Sequence, residues 1–157
     1  MANEALSISR DFSDIQDALG NLGDGLADMD PFWDAVEMYM IDSLTQNFEE
    51  QGRPTKWEPL SKWTIEEKGS SAILQDTGAL KGSINASNTE RSGASLEIWA
   101  GEMHGLFHQF ADVEAMDQFG MTNAKGTPMR PFMLFQPEDP DAILDILDNY
   151  VQDIMGG

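Results

Sequence analysis

Two stretches toward opposite ends of the chain repeat apolar residues at helical spacing for three turns or more, and together they constrain the fold most. The first opens on Asp30-Pro31, with the aspartate as N-cap and the proline in the first turn, and continues through Trp33, Val36, Met40, Leu44 and Phe48 to a stop at Gly52. The second follows "PEDPDAILDILDNYVQDIM", where Pro140 and several acids occupy the start and Ile143, Leu147, Tyr150, Val151 and Ile154 form the stripe. A helix with one apolar stripe must bury it against something. What lies between the two helices therefore decides the fold.

Between them the spacing shortens. "SINASNTE" (83–90) and "ASLEIWAG" (94–101) are both strand-like and are joined by "RSG", which predicts a β-hairpin. Ser61 or Thr64 can cap a short helix over "WTIEEK", ended by Gly69, and Asp76 or Thr77 can cap a further turn. "HGLFHQFADVEAMDQFG" reads as a helix and a loop, "NAKGTP" as a loop and "MRPFMLF" as extended, since Pro131 biases Arg130 away from the helical region. Ahead of the first strong helix, "EALSIS" (4–9) alternates as a strand, and Phe12, Ile15, Leu19, Leu22 and Leu26 have helical spacing weakened by Gly20, Gly23 and Gly25. The expected class is α+β, with one long N-terminal and one C-terminal helix packed on a small antiparallel β-sheet. The 157 residues fit one domain, 1–157, with a weakly ordered segment 1–29 ahead of the main region 30–155.

Charge narrows the partners. The chain has 28 acids against nine bases, a net charge of −19. Such a surface repels nucleic acid and anionic membranes, both of which need lysine and arginine for capture. It suits a protein in concentrated salt, and equally a wall along which DNA must slide. Without cysteine there is no disulfide, thiolate metal site or cysteine nucleophile. No apolar run is long enough to span a membrane, and "MANEALSISRDF" lacks the pattern of a signal peptide.

Few residues suggest chemistry. Asp76-Thr77-Gly78 resembles the active-site triplet of aspartic proteases, in which two close carboxylates share one proton; a homodimer would pair two copies of Asp76. Against it, Gln75 stands where a buried apolar strand residue is expected, and two strong helices do not suit that all-β architecture. The simpler reading is a capped turn. His104 and His108 are four apart, a metal-ligand spacing, with Asp112 or Glu102 as a third donor, yet such pairs more often pack or hydrogen-bond. The expected catalytic, cofactor and metal sites are therefore none. A third reading is an acidic protein-binding module that captures a basic partner.

The weak elements gain meaning in order. They run Phe48, Gly52, Trp57, Pro59, Leu60 and Thr64; then Leu74, Thr77, Gly78, Leu80, Ser83 and Ile84; then Gly101, His108, Gln109 and Phe110; then Pro128, Arg130, Pro131 and Phe132. This ordered set resembles the phage virion-morphogenesis, or tail-completion, family of tailed viruses. The sequence departs after Phe110, where Ala111 replaces the usual glycine and a second Gln118-Phe119-Gly120 lies nearby. The resemblance implies a structural subunit of the virion neck or tail end, made in the host cytoplasm. It implies a homo-oligomeric ring, often of six subunits, that meets neck, portal-adaptor or tail-tube proteins and lets DNA pass without specific binding, with no enzyme activity, cofactor or membrane.

Within that set, "GRPTKWEPLSKWT" (52–64) concentrates two tryptophans and three bases in an acidic molecule. The expected subunit contact is Arg53, Lys56, Trp57 and Arg130, and reversing the charges of Arg53 and Lys56 is expected to weaken assembly while leaving the fold intact.

Overall fold

A computed structural model describes residues 13–92, 95–101, 105–109 and 128–156. In chain order the elements are α1 (Ser13–Ala27), α2 (Asp30–Glu49), α3 (Lys62–Lys68), α4 (Ala79–Gly82), a 3₁₀ turn (Ala86–Asn88), β1 (Thr89–Ser92), β2 (Ser95–Ile98), α5 (Gly105–Gln109) and α6 (Asp139–Gly156). The expected α+β class holds, with α2 and α6 as the long helices and an antiparallel hairpin as the sheet. "EALSIS", Glu102, His104 and Asp112 lie outside the described residues.

Helix α2 starts one residue earlier at its cap than the sequence suggests. Met29 is the N-cap, Asp30 is already helical, and the Asp28 carboxylate accepts the Asp30 N–H at 3.1 Å. Helix α1 runs unbroken through its glycines. Gly25 explains part of this: a Cβ there would lie 2.6 Å from Ile154, so the missing side chain lets α1 sit directly on α6. Tyr150 donates its hydroxyl to the carbonyls of Gly25 and Asp28, fixing that contact. The first strand is shorter than expected. Over 84–88 the backbone turns instead, because Asn85 accepts the Ser87 N–H and donates to the Gly82 carbonyl, an Asx-type turn that competes with a strand.

The core has two parts, and α2 serves both. Near its start, Phe32, Val36 and Met40 are buried against Ile143, Ile146, Leu147 and Tyr150 of α6 and against Leu96 and Ile98 of β2. Near its end, Leu44 and Phe48 are buried with Trp57, Ile73, Ile84 and Phe132. The Phe48 ring stands edge-on to Trp57 at 5.8 Å between centroids and 5.4 Å from Phe132. The hairpin is fastened to the outside of α2 by Arg91, which bonds Asp34 and Glu37, both at 2.6 Å. These two carboxylates also raise the Arg91 pKa above its ordinary value.

Candidate functional site: the loop after α2

The loop begins with a backbone reversal that only glycine makes easily. Gly52 adopts φ +108, and a Cβ there would stand 2.5 Å from the Trp57 nitrogen and 2.6 Å from the Thr55 oxygen. Its N–H closes onto the Asn47 carbonyl at 2.8 Å, and Trp57 N–H returns to the Gln51 carbonyl at 2.8 Å. This tight loop aims Arg53 back over α2 and drops the Trp57 ring into the core.

Arg53 enters a network of buried polar groups. Its guanidinium donates to Asn47 Oδ1 (3.2 Å), to the Ser43 carbonyl (2.9 Å) and hydroxyl (3.0 Å), and to Glu138 (3.0 Å). Ser43 in turn donates its hydroxyl hydrogen bond to Asp139 Oδ1 at 2.8 Å, and Tyr39 donates to the same oxygen at 2.9 Å. The other oxygen, Oδ2, accepts the Gln136 N–H at 2.7 Å. Asn47 donates to the Phe132 carbonyl at 2.8 Å and accepts from Gln136 at 3.1 Å. Asn47, Gln136 and Asp139 are all fully buried. An unpaired carboxylate would be costly there, and the three donors to Asp139 are what make its burial tolerable. The network bolts the start of α6 to the middle of α2.

Burial pushes the Tyr39 hydroxyl pKa up to about 12 from 10.0, helped by the bond to Asp139 and the charges of Asp139 and Glu138, while Arg53 opposes. Folding thus favours the protonated phenol. Its stabilising contribution is complete below pH 10 and is lost as pH rises through about 12. Stability is expected to fall between those values, and in Tyr39→Phe the fall should be shallower, as read by urea titrations at pH 9, 10.5 and 12.

A second set of contacts holds the segment around Arg130. Trp57 donates its indole N–H to the Pro131 carbonyl at 3.0 Å, and Arg130 caps the Glu58 carbonyl at 3.1 and 2.9 Å. Gln109 acts like a strand partner for 132–133: Oε1 accepts the N–H groups of Phe132 (2.9 Å) and Met133 (3.0 Å), and Nε2 donates to the Met133 carbonyl at 3.0 Å. Gly105 permits the approach, since a Cβ would meet Phe132 at 2.8 Å. Burial lowers the Arg130 pKa, with the Glu58 carboxylate opposing.

The four residues expected at a subunit contact thus separate. Arg53, Trp57 and Arg130 are directed into their own chain, while Lys56 is exposed and, among the described residues, bonds only Glu50. The two tryptophans of the loop divide in the same way: Trp57 is 6% exposed and Trp63 is 70% exposed. Trp63 lies on α3, whose described residues include none that is buried, next to Lys62, which has no partner among the described residues. Ser61 caps α3 by accepting the Thr64 N–H at 3.1 Å, and α3 overhangs an open cleft of about 1050 Å³ shared with Asp76, His108 and Arg130. Asp76 sits in an exposed turn ahead of α4, where Thr77 accepts the Ala79 N–H at 3.2 Å. Among the described residues no cluster of three His, Asp or Glu is placed to hold a metal, and no helix is long and apolar enough to cross a membrane.

Phe48, Trp57, Leu60, Leu74, Leu80, Ile84, Gln109, Arg130 and Phe132, separated along the sequence, meet around one core. The ordered motif set is thus the signature of a fold whose loops are tied to one another, and the site defines a small α+β protein of that architecture. The chain belongs to the phage virion morphogenesis family, whose model matches residues 10–152. It is similar to the Mu-like prophage FluMu G protein 2 of Haemophilus influenzae, with 27% identity over 139 residues, covering 88% of this chain and 90% of that protein. No solved structure matches it. Membership gives the chain a structural role in phage virion morphogenesis.

Proposed function

We propose that the chain is a subunit of a tail-completion or neck ring, placed where head joins tail or where the tail tube ends. The observation that carries this reading is the outward display of Lys56 on the loop, whose Trp57 is locked into the core, and of Lys62 and Trp63 on the adjoining α3. A platform bearing one exposed aromatic and two cations, on a molecule of charge −19, suits contact with an acidic neighbour of the same kind. The exposed stripe Asp141, Asp145 and Asp148 on α6 suits a wall past which DNA slides without binding. The role uses no cofactor. Closed rings require a heterologous contact, so the platform must meet a different face of the next copy.

In this reading Trp63→Ala combined with Lys56→Glu and Lys62→Glu leaves the melting temperature unchanged, because all three side chains are exposed, but weakens self-association at least tenfold. Sedimentation velocity over a concentration series reads this directly. An unchanged association constant would remove the platform from the contact.

The same charge sets a salt response. Raising ionic strength from 0.01 to 1 M shortens the screening length from about 30 to about 3 Å. The melting temperature is expected to rise across that range as repulsion among the acids is screened, and more steeply than for a near-neutral protein. A chain built for a salt-loving host would show this rise continuing into molar salt; a fall with added salt would show that repulsion is not what limits its stability.

A further inference from the structure

Among the described residues the outer edge of β2 is open. The register pairs Thr89 with Ile98 and Ser92 with Ser95, and the Trp99 N–H bonds the Asn88 carbonyl. Antiparallel ladders alternate bonded and non-bonded pairs, so Ser95 and Glu97 bond inward to β1 while Leu96 and Ile98 direct N–H and C=O outward. Among the described residues nothing meets those groups. At this edge lies an apolar groove of about 660 Å³, lined by β2, by Met133, Leu134 and Phe135, and by Val36 and Met40 of α2. Phe135 stands at its rim, 67% exposed. An unpaired edge over an apolar floor is a template for one more strand.

We infer that this groove receives residues 4–9, "EALSIS", of a neighbouring copy of the chain, added as a third strand on β2. The segment has the required pattern: Leu6 and Ile8 share one face and enter the groove beside Leu96 and Ile98, while Ser7 and Ser9 face outward. The path of α1 decides between copies. Gly25 lies against Ile154 and the Asp28 carbonyl against Tyr150, so α1 runs antiparallel to α6, and it packs on α6 with no comparable contact to α2. Its first turns therefore continue past the C-terminal end of α6, away from the groove. At 1.5 Å per residue along the two helices, Ser13 stands about 34 Å from Ile143 at the groove. Six extended residues from Ser13 back to Ser7 span only about 20 Å. On that reach the segment falls short of its own groove, which leaves the groove of another copy. Pairing β2 with a second β2 in the register that uses Leu96 and Ile98 would set Glu97 opposite Glu97, which like charge disfavours. A strand passed from each copy to the next is heterologous, the kind of contact a ring needs. The inference takes from the ring reading only that copies meet.

Hydrogen exchange at the Leu96 and Ile98 amides of the full chain tests it, followed over a hundredfold range of concentration beside the double variant Leu6→Asp/Ile8→Asp. Both amides are expected to slow at least tenfold as concentration rises. In the variant they should exchange fast at every concentration, with scattering mass reduced and the melting curve unchanged. Protection independent of concentration would mean a segment of the same chain fills the groove, and fast exchange in the unsubstituted chain would mean nothing does; either overturns the inference. A variant that keeps both protection and mass overturns it too, while leaving the ring reading standing on another contact.

Discussion

Asp139→Ala is expected to lower the stability of the chain by about 4 kcal/mol, a large share of the ~5–15 kcal/mol that holds a typical domain. The carboxylate is fully buried and serves three donors, Tyr39, Ser43 and the Gln136 N–H. Alanine leaves all three unsatisfied and leaves Arg53 with less opposite charge nearby. For a chain of this length the melting temperature should fall by about 12 °C. Asp139→Asn separates shape from charge. An amide oxygen can still accept from Tyr39 and Ser43, but its NH₂ then faces the Gln136 N–H, donor against donor, so about half the loss should remain. Chemical denaturation of the three proteins measures both steps. A change under about 1 kcal/mol in Asp139→Ala would mean that the network positions groups without stabilising the fold.

Gly52→Ala should cost about 3 kcal/mol, from one added carbon. Two effects combine there. The φ of +108 is disfavoured for any residue with a Cβ, and the new carbon collides with backbone atoms, Trp57 N at 2.5 Å and Thr55 O at 2.6 Å, which cannot step aside as a side chain could. The loop must open, and Trp57 must leave its place between Phe48 and the Pro131 carbonyl. Tryptophan fluorescence should therefore shift to the red together with the loss of stability. Gly69→Ala is the control, since that glycine also has positive φ but nothing stands within 4 Å of its added carbon. The same red shift and loss in both variants would trace the effect to φ alone.

These effects show which parts of the fold were legible in the sequence. The stripes of α2 and α6 were, because burial of one helical face imposes a period that survives in any tertiary setting: Val36, Met40, Leu44 and Phe48 are buried as the spacing predicts. Phe32 was missed for Trp33, one position off the face, since both are large aromatics and only packing decides between them. The polar network was invisible. Ser43 and Asn47 stand four apart on α2, but nothing in the sequence ties them to Gln136 and Asp139, and the bonds that join them span up to 96 residues. The part Arg53 plays in its own chain was hidden for that reason. From sequence its charge suggested a subunit contact that could be reversed without harm to the fold, yet Arg53→Glu would set a carboxylate beside Glu138, Asn47 Oδ1 and the Ser43 carbonyl. A reversal at Arg53 reads stability as well as assembly, and Lys56, exposed, is the cleaner probe. Gln109 is the opposite case. The His-Gln-Phe element was recognisable as a pattern, and only the structure gives the glutamine its work, binding both N–H groups of 132–133 and the Met133 carbonyl.

A chain built into the virion as a ring at one end of the tail must be present there in a small, fixed number of copies. Quantitative mass spectrometry of purified virions, with an affinity tag imaged by gold labelling, measures both number and place. The expected result is about six copies per virion, as a single ring would give, with label at the neck or tail end. Virions that are complete and infectious but contain none of the chain would rule the ring out.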